Sequence, residues 1–560
     1  MAPVSSARLR TLFALFAVLS IVLSARVAYW QTVARPGLLE RANGQVRSDE
    51  VLHARRGTIF DRSGAILAAS VDLRSLYAIP ARIRDKQKVA DDLGILLGRA
   101  AGPIYDRLTS GADWVFIQRR LPEATANAIA DLHVDGLGFE EEPKRLYPNG
   151  DLAAHLLGFV SDDGAGQDGV EGKYDGILRG TDGKLVAERD PADREIALGL
   201  RESVAPRNGA DLTLTVDLAI QTSAERELRA AVQRESAVGG SIVVLDPRDG
   251  AVRAMASYPT FDPGAVAAAK PEALRDRVVG WAYEPGSVMK AITMAAGLET
   301  GVVTPNTTYN DVGYADIGGR RLSNALGRAW GPSTMTQVIE HSANAGAVFV
   351  AKKLGEQRLY DALVRFGIGR PTGVDLAGEI GGDVRPLAQW YPVDLGTAAF
   401  GQGLTATPLQ LATVYAAIAN GGTLYRPYVV ASWRDADGEH RTAPAAVRRV
   451  VSSQTASTLR DMLVSSVDKG LAHGAFLSGF SVAGKTGTAQ IPSPDGRYVD
   501  DQYISSFAGF VPADDPYMVV VVVLDRPQSR LFGTTTAMSV FRGVAEDTLR
   551  YALIQPDRKR

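Results

Sequence analysis

The chain has 560 residues, 46% of them hydrophobic and 22% charged, a globular composition with room for several domains. Its 61 Lys and Arg against 63 Asp and Glu leave a net charge of -2, without the basic excess of a nucleic-acid binder. It has no cysteine, which excludes disulfides, thiolate metal sites and a cysteine nucleophile, and no two of its six histidines stand at H-x-x-x-H spacing.

Arg8 and Arg10 precede an uncharged, mostly apolar run from Thr11 to Ala25, and Val27, Ala28, Tyr29 and Trp30 continue it beyond Arg26. The uncharged run is shorter than the ~20 residues that span a bilayer. Arg26 lies near one end, however, where its stem can snorkel to the headgroups. Tyr29 and Trp30 suit the membrane interface. Residues 1–35 are therefore expected to be a cytoplasmic tail and a single transmembrane helix. The run offers only Val22-Leu23-Ser24 as a weak cleavage site, so the anchor is read as uncleaved. The arginines before it keep the N-terminus inside, which puts the rest of the chain outside the cytoplasm.

Residues 36–209 read as a β-rich pedestal. Asp61-Arg62-Ser63-Gly64 is a turn tetrad between two short strand-like runs, which predicts a hairpin. Arg145-Leu146-Tyr147-Pro148 and Gly169-Val170-Glu171-Gly172-Lys173-Tyr174-Asp175 follow. None of these stretches places a nucleophile beside a base, so they read as scaffold.

Residues 210–560 read as one large domain. Asp217 to Glu235 has a helical pattern. Ser241 to Asp246 and Ala251 to Ser257 are predicted strands joined at Arg248-Asp249-Gly250, an Asp-Gly hairpin signal. Ser481 to Gln490, Ile504 to Val511 and Tyr517 to Leu524 are three more, and a last helix is predicted from Ala537 to Leu553. Two strands, a helical middle, three strands and a helix predict an antiparallel sheet flanked by helices.

Three polar islands interrupt apolar stretches of this domain. Ser287-Val288-Met289-Lys290 opens a helix that is apolar nearly all round and hence buried, with Gly301 as its stop. Lys290 shares the face of Ser287. Burial lowers a lysine's pKa, and a neutral amine beside a hydroxyl can take its proton. Taken alone, the pair also fits a Ser cap and a snorkelling lysine. Ser342-Ala343-Asn344 follows a helical run from Thr334 to His341 and on its own fits a helix break with a cap. Lys485-Thr486-Gly487-Thr488 lies on the strand from Phe480 to Gln490. By itself the tetrad fits an exposed edge strand, although lysine, hydroxyls and a glycine also suit a carboxylate-binding one.

The same stretch is a decoy: Gly479 to Thr486 matches G-x-x-x-x-G-K-[ST]. A phosphate-binding loop must open a helix. Gly487, Pro492 and Pro494 block one here, so a nucleotide site is not expected.

In this order, the three islands resemble the signature of penicilloyl serine transferases. The chain resembles a class B penicillin-binding protein, a monofunctional peptidoglycan D,D-transpeptidase of the division (septal) type, along nearly its whole length. The resemblance is carried by Arg26-Val27-Ala28-Tyr29-Trp30-Gln31, Arg56-Gly57 to Gly64, Gly169 to Asp175, Tyr283 to Ser287, Phe400-Gly401-Gln402-Gly403, Thr407 to Ala412, and Lys485 to Gln490. It implies a penicillin-binding transpeptidase fold of the α/β (α+β) kind on a pedestal (dimerisation-type) domain and a single transmembrane helix.

The resemblance also implies the chemistry. Ser287 is the acyl-forming nucleophile and Lys290 its base. Ser342 relays protons to the leaving amine. Asn344 holds Lys290 and a substrate amide. Lys485 supplies positive potential, and Thr486, Gly487 and Thr488 form the carboxylate-binding strand. The backbone N–H groups of Ser287 and Thr488 form the oxyanion hole. Stem peptides ending in D-Ala-D-Ala are the donors, β-lactams their mimics, and D-alanine the leaving group. No cofactor and no metal are implied. The implied setting is the bacterial inner membrane, with a polytopic shape/division-family glycosyltransferase and other divisome proteins as partners. An elongation-type transpeptidase, a D,D-carboxypeptidase and a non-catalytic β-lactam sensor or scaffold remain as alternatives. The middle motif is Ser-Ala-Asn where class A β-lactamases carry Ser-Asp-Asn, and no Glu-x-x-Leu-Asn loop offers a deacylating carboxylate. The tail segment Leu531 to Thr535 departs from the Gly-Gly pattern of the division type.

Overall fold

The computed structural model describes residues 6–38, 47–189, 195–197, 199–493, 498–528 and 534–558. Pro494 and the tail residues Leu531, Phe532 and Gly533 lie outside them. The chain packs as two units, Met1–Arg55 with Gly180–Asn208, and Arg56–Arg179 with Gly209–Arg560. The 36–209 region thus contributes to both.

In the first unit, the expected anchor is one continuous helix, Ser6–Thr32. Its 27 residues reach about 40 Å, longer than a hydrocarbon core. None of its side chains is buried, and its most apolar window has a mean hydropathy of 2.1, so it is a candidate membrane span. The Arg26 guanidinium lies over the rings of Tyr29 and Trp30, at 5.7 and 5.2 Å from their centroids. Strands Arg47–Leu52, Gly183–Glu188 and Arg201–Val204 form a three-stranded antiparallel sheet.

In the second unit, the hairpin expected at Asp61–Gly64 joins Ile59–Phe60 to Ile66–Ala78. Asp61 builds the turn: its Oδ1 accepts the N–H groups of Ser63 and Ala65, both at 2.8 Å. These strands belong to a seven-stranded sheet that also takes in Asp211–Leu214, Val430–Asp435 and Gly438–Arg441.

The five-stranded sheet is antiparallel throughout and surrounded by helices, as expected. Helix α1 (Leu218–Arg234) is capped by Asp217, whose side chain accepts the Ala219 N–H. Strands β1 (Gly239–Leu245) and β2 (Val252–Tyr258) form the expected hairpin. Helices α2 (Lys290–Glu299), α3 (Met335–Glu340), α4 (Asn344–Leu354), α5 (Pro408–Ala419) and α6 (Ser453–Lys469) follow. Strands β3 (Ala483–Pro492), β4 (Tyr498–Val511) and β5 (Met518–Asp525) and helix α7 (Thr534–Tyr551) complete the domain. The strand order is β2-β1-β5-β4-β3.

Strand β5 is central and buried at every position. Successive side chains of a strand point to opposite faces. Val519, Val521 and Val523 accordingly join one core with residues of α2 and α5, while Val520, Val522 and Leu524 join another with residues of α1 and α7. A run of valines is what a sheet covered on both faces requires. Strand β3 is an edge, and the turn Gly286–Met289 that leads into α2 lies against it.

Candidate active site

Ser287 lies on a single 3-10 turn, Gly286–Met289, which feeds α2, whereas the sequence pattern alone opens the helix at Ser287. Two features fix the turn. Gly286 has φ +60°, and its N–H donates to the Gly401 carbonyl at 3.0 Å. The hydroxyl of Tyr415, fully buried in α5, donates to the Val288 carbonyl at 3.0 Å. Gly487 of β3 lets the turn approach: a Cβ there would collide with Ser506 Oγ and lie 3.0 Å from the Pro285 carbonyl oxygen. This glycine is therefore needed for contact within the protein, whatever it also allows a ligand.

Lys290 begins α2 and is 1% exposed. Its Nζ lies 3.0 Å from Ser287 Oγ, 2.5 Å from the Ser342 carbonyl oxygen, 2.7 Å from Asn344 Oδ1 and 3.3 Å from Ser342 Oγ. Ser342 falls between α3 and α4 with φ +55°, a conformation uncommon for a residue with a Cβ. That break aims both its carbonyl and its hydroxyl at Lys290. Asn344 is the first residue of α4 but caps nothing with its side chain. Its Oδ1 faces Lys290, and its Nδ2 donates to the Ser323 carbonyl at 2.9 Å.

Lys485 comes from the opposite wall. It is fully buried, and its Nζ donates to Ser342 Oγ at 2.8 Å and to the Thr486 carbonyl at 3.1 Å. Thr486 is buried and Thr488 half-buried. The exposed-edge reading of the tetrad thus fails in one respect: β3 is an edge strand, but the neighbouring helices cover Lys485 and Thr486. The strand continues through Gln490 without a helix after Thr486, so the nucleotide-loop pattern has no structural counterpart.

The Ser342 hydroxyl therefore bridges two buried amines. Among the described residues neither lysine pairs with a carboxylate. Burial, reinforced by the positive charge of Lys485, pushes Lys290 well below the usual lysine value. Burial pushes Lys485 down to about 7.

The sequence brings these five residues within reach but not what supports them. The α3–α4 corner rests on Asn324, 5% exposed, which donates to both oxygens of buried Asp311 at 3.0 and 2.9 Å and accepts the Ala345 N–H at 2.9 Å. His341, beside Ser342, stacks on Trp330 at 3.8 Å between centroids. Tyr415, Asn324 and Trp330 carry no local signal of a role. The one readable clue is Thr407-Pro408-Leu409-Gln410, a capping-box pattern, and Thr407 and Gln410 do form that box at the start of α5.

The scaffold stretches 56–64, 145–148 and 169–175 also meet. Glu171, fully buried, accepts Arg56 Nε on Oε2 and Arg145 Nε on Oε1, both at 2.7 Å. Arg56 Nη1 reaches Asp175 Oδ1 at 2.6 Å, and Arg145 Nη1 donates to the Gly57 carbonyl at 2.7 Å.

Comparison with known proteins agrees with this geometry. Residues 240–546 match the penicillin binding protein transpeptidase domain, and residues 51–214 match the penicillin-binding protein dimerisation domain. The chain is 33% identical to stage V sporulation protein D of Bacillus subtilis, over 98% of this chain and 86% of the relative. It is 33% identical to the peptidoglycan D,D-transpeptidase FtsI of Escherichia coli K12, over 95% and 90%. Among solved structures, penicillin binding protein 3 of Mycobacterium tuberculosis complexed with aztreonam aligns with a TM-score of 0.72 at 29% identity, covering 91% of this chain and 98% of that one. Two matched domains in this order define a class B penicillin-binding protein. The chain belongs to the penicillin-binding protein transpeptidase family.

Proposed function

We propose that this protein is a peptidoglycan D,D-transpeptidase that cross-links stem peptides through an acyl-enzyme on Ser287. The observation that carries the reading is the Lys290 amine, buried 3.0 Å from Ser287 Oγ with no counter-ion among the described residues. An ammonium has three N–H donors and no acceptor. A neutral amine has two donors, which match the Ser342 carbonyl and Asn344 Oδ1, and a lone pair left for the Ser287 hydroxyl. Lys290 then takes the Ser287 proton as Oγ attacks the carbonyl of the penultimate D-alanine. The N–H groups of Ser287 and Thr488 hold the oxyanion, a contribution of about 3–4 kcal/mol per donor.

Ser342 Oγ, between the two lysines, passes a proton to the departing D-alanine. An amine of a second stem peptide then takes the acyl group. Asn344 steadies Lys290 and a substrate amide. Lys485, Thr486, Gly487 and Thr488 form the strand that receives the donor's terminal carboxylate. β-Lactams enter as mimics of the donor and acylate Ser287.

The proposed setting is septal wall synthesis at the bacterial inner membrane. Helix Ser6–Thr32 is the anchor, Arg8 and Arg10 stay inside, and the catalytic domain lies outside. A polytopic glycosyltransferase and other division proteins are the proposed partners. Similarity to FtsI over nearly the whole chain supports this reading. Membranes treated with a fluorescent penicillin test the chemistry. Wild type becomes covalently labelled and Ser287→Ala does not; a labelled Ser287→Ala variant would overturn the assignment. Incubation with a stem pentapeptide yields D-alanine and dimers, whereas D-alanine with tetrapeptide alone would mark a carboxypeptidase.

A further inference from the structure

Glu284 stands just before the Pro285-Gly286-Ser287 turn and is half-buried, yet among the described residues it forms no ion pair. Its Oε1 accepts the Gly403 N–H at 2.9 Å, and its Oε2 accepts the Tyr498 hydroxyl at 3.0 Å. Gly403 ends the loop Phe400-Gly401-Gln402-Gly403, whose Gly401 carbonyl takes the Gly286 N–H. Tyr498 opens β4 and pairs across the ladder with Pro492, at the far end of the strand that carries Lys485 to Thr488. Its two bonds thus tie the residue before the nucleophile turn to two other segments, the 400–403 loop and the end of the β3–β4 hairpin.

We propose that Glu284 is a positioning residue, whose two hydrogen bonds hold Ser287 at its working distance from the β3 strand. A carboxylate in this place is a costly choice. Burial favours its neutral form and raises its pKa, and only the bonds from Gly403 and Tyr498 oppose that. A purely structural link between two donors could be made by a neutral side chain at less cost. A carboxylate gives two charge-assisted bonds, which are stronger and more tightly directed. Small displacements of a nucleophile cost rate steeply, up to about 10²-fold for about 1 Å. The proposal rests on Ser287 as the nucleophile.

The test is a double-mutant cycle with Glu284→Ala and Tyr498→Phe, with Glu284→Gln as the conservative control. Stopped-flow acylation by a chromogenic cephalosporin separates binding from the acylation step, and thermal unfolding is followed in parallel. Glu284→Ala is expected to slow the acylation step by about tenfold or more, and Tyr498→Phe by about threefold, with binding nearly unchanged. Glu284→Gln, which still accepts the Gly403 N–H, recovers part of the loss. In the Glu284→Ala background Tyr498→Phe has no further effect, because the bond it removes is already gone. Acylation steps equal to wild type in Glu284→Ala, or additive losses in the double variant, would overturn the proposal. A wild-type protein that is never acylated would instead sink the Ser287 reading beneath it.

Discussion

In the Arg56–Arg145–Glu171–Asp175 cluster two guanidinium groups meet two carboxylates, whereas the Lys290–Ser342–Lys485 cluster holds two amines and no acid. Arg56, Arg145 and Glu171 of the first and both lysines of the second are buried, in the same packed unit. In the first, every carboxylate receives a guanidinium at 2.6–2.7 Å. Such a set is stable only as a whole, and removing one member leaves a stranded charge worth about 3–5 kcal/mol. In the second, both Nζ atoms reach one hydroxyl, at 3.3 and 2.8 Å, so they lie at most about 6 Å apart. Two full charges at that distance would repel by about 3 kcal/mol at an effective dielectric near 20. Burial adds to that penalty. The relief available is to shed a proton, and the amine that sheds it becomes a base. Compensated charge builds a scaffold here, and the uncompensated pair is where we propose the chemistry lies.

The largest expected effect comes from restoring a permanent charge. Lys290→Arg keeps a cation that cannot give up its proton. Acylation by a fluorescent penicillin should fall by about 10³-fold, the scale of a lost general base. A variant within tenfold of wild type would break the comparison from the catalytic side. Glu171→Ala should do the reverse. It should cost about 3–5 kcal/mol in denaturant unfolding, while the protein that remains folded is acylated at the wild-type rate. Unchanged stability would show that the cluster is not the compensated scaffold described.

Glu225 lies between these cases and sharpens them. Its Oε1 accepts the Ala153 N–H at 2.6 Å and the Gln221 amide at 2.8 Å, but among the described residues no cation bonds to it. Burial pushes its carboxyl up to about 7. A pKa raised above the unfolded value adds stability at low pH, and that contribution is lost as pH rises through about 7. Glu225→Gln keeps an acceptor for both bonds. It should raise stability at about pH 8 by about 1–3 kcal/mol and have little effect near pH 5. Equal effects at the two pH values would refute the assignment.

How far the sequence reaches differs between the two clusters. Ser287 with Lys290, and Ser342 with Asn344, are legible because each pair is set by one local turn or helix start. The central valine strand is legible because a continuous apolar run admits few environments. The Arg56–Glu171 and Arg145–Glu171 bonds join residues 115 and 26 positions apart. The turn signals around them say that the chain bends, not what it bends towards. The tetrad does not reveal the burial of Lys485 and Thr486 for a similar reason. Period-two alternation marks a strand, but only its neighbours decide whether an edge is covered. Tyr415 is not legible, because its buried helix gives no sign of which carbonyl its hydroxyl meets.

Carbon-13 NMR of lysine Cε groups tests the central claim most directly, with Lys290→Ala and Lys485→Ala assigning the two buried signals. Lys290 should titrate well below the ordinary lysine pKa of about 10.4. A Lys290 signal that stays in the ammonium form up to about pH 10 would contradict it.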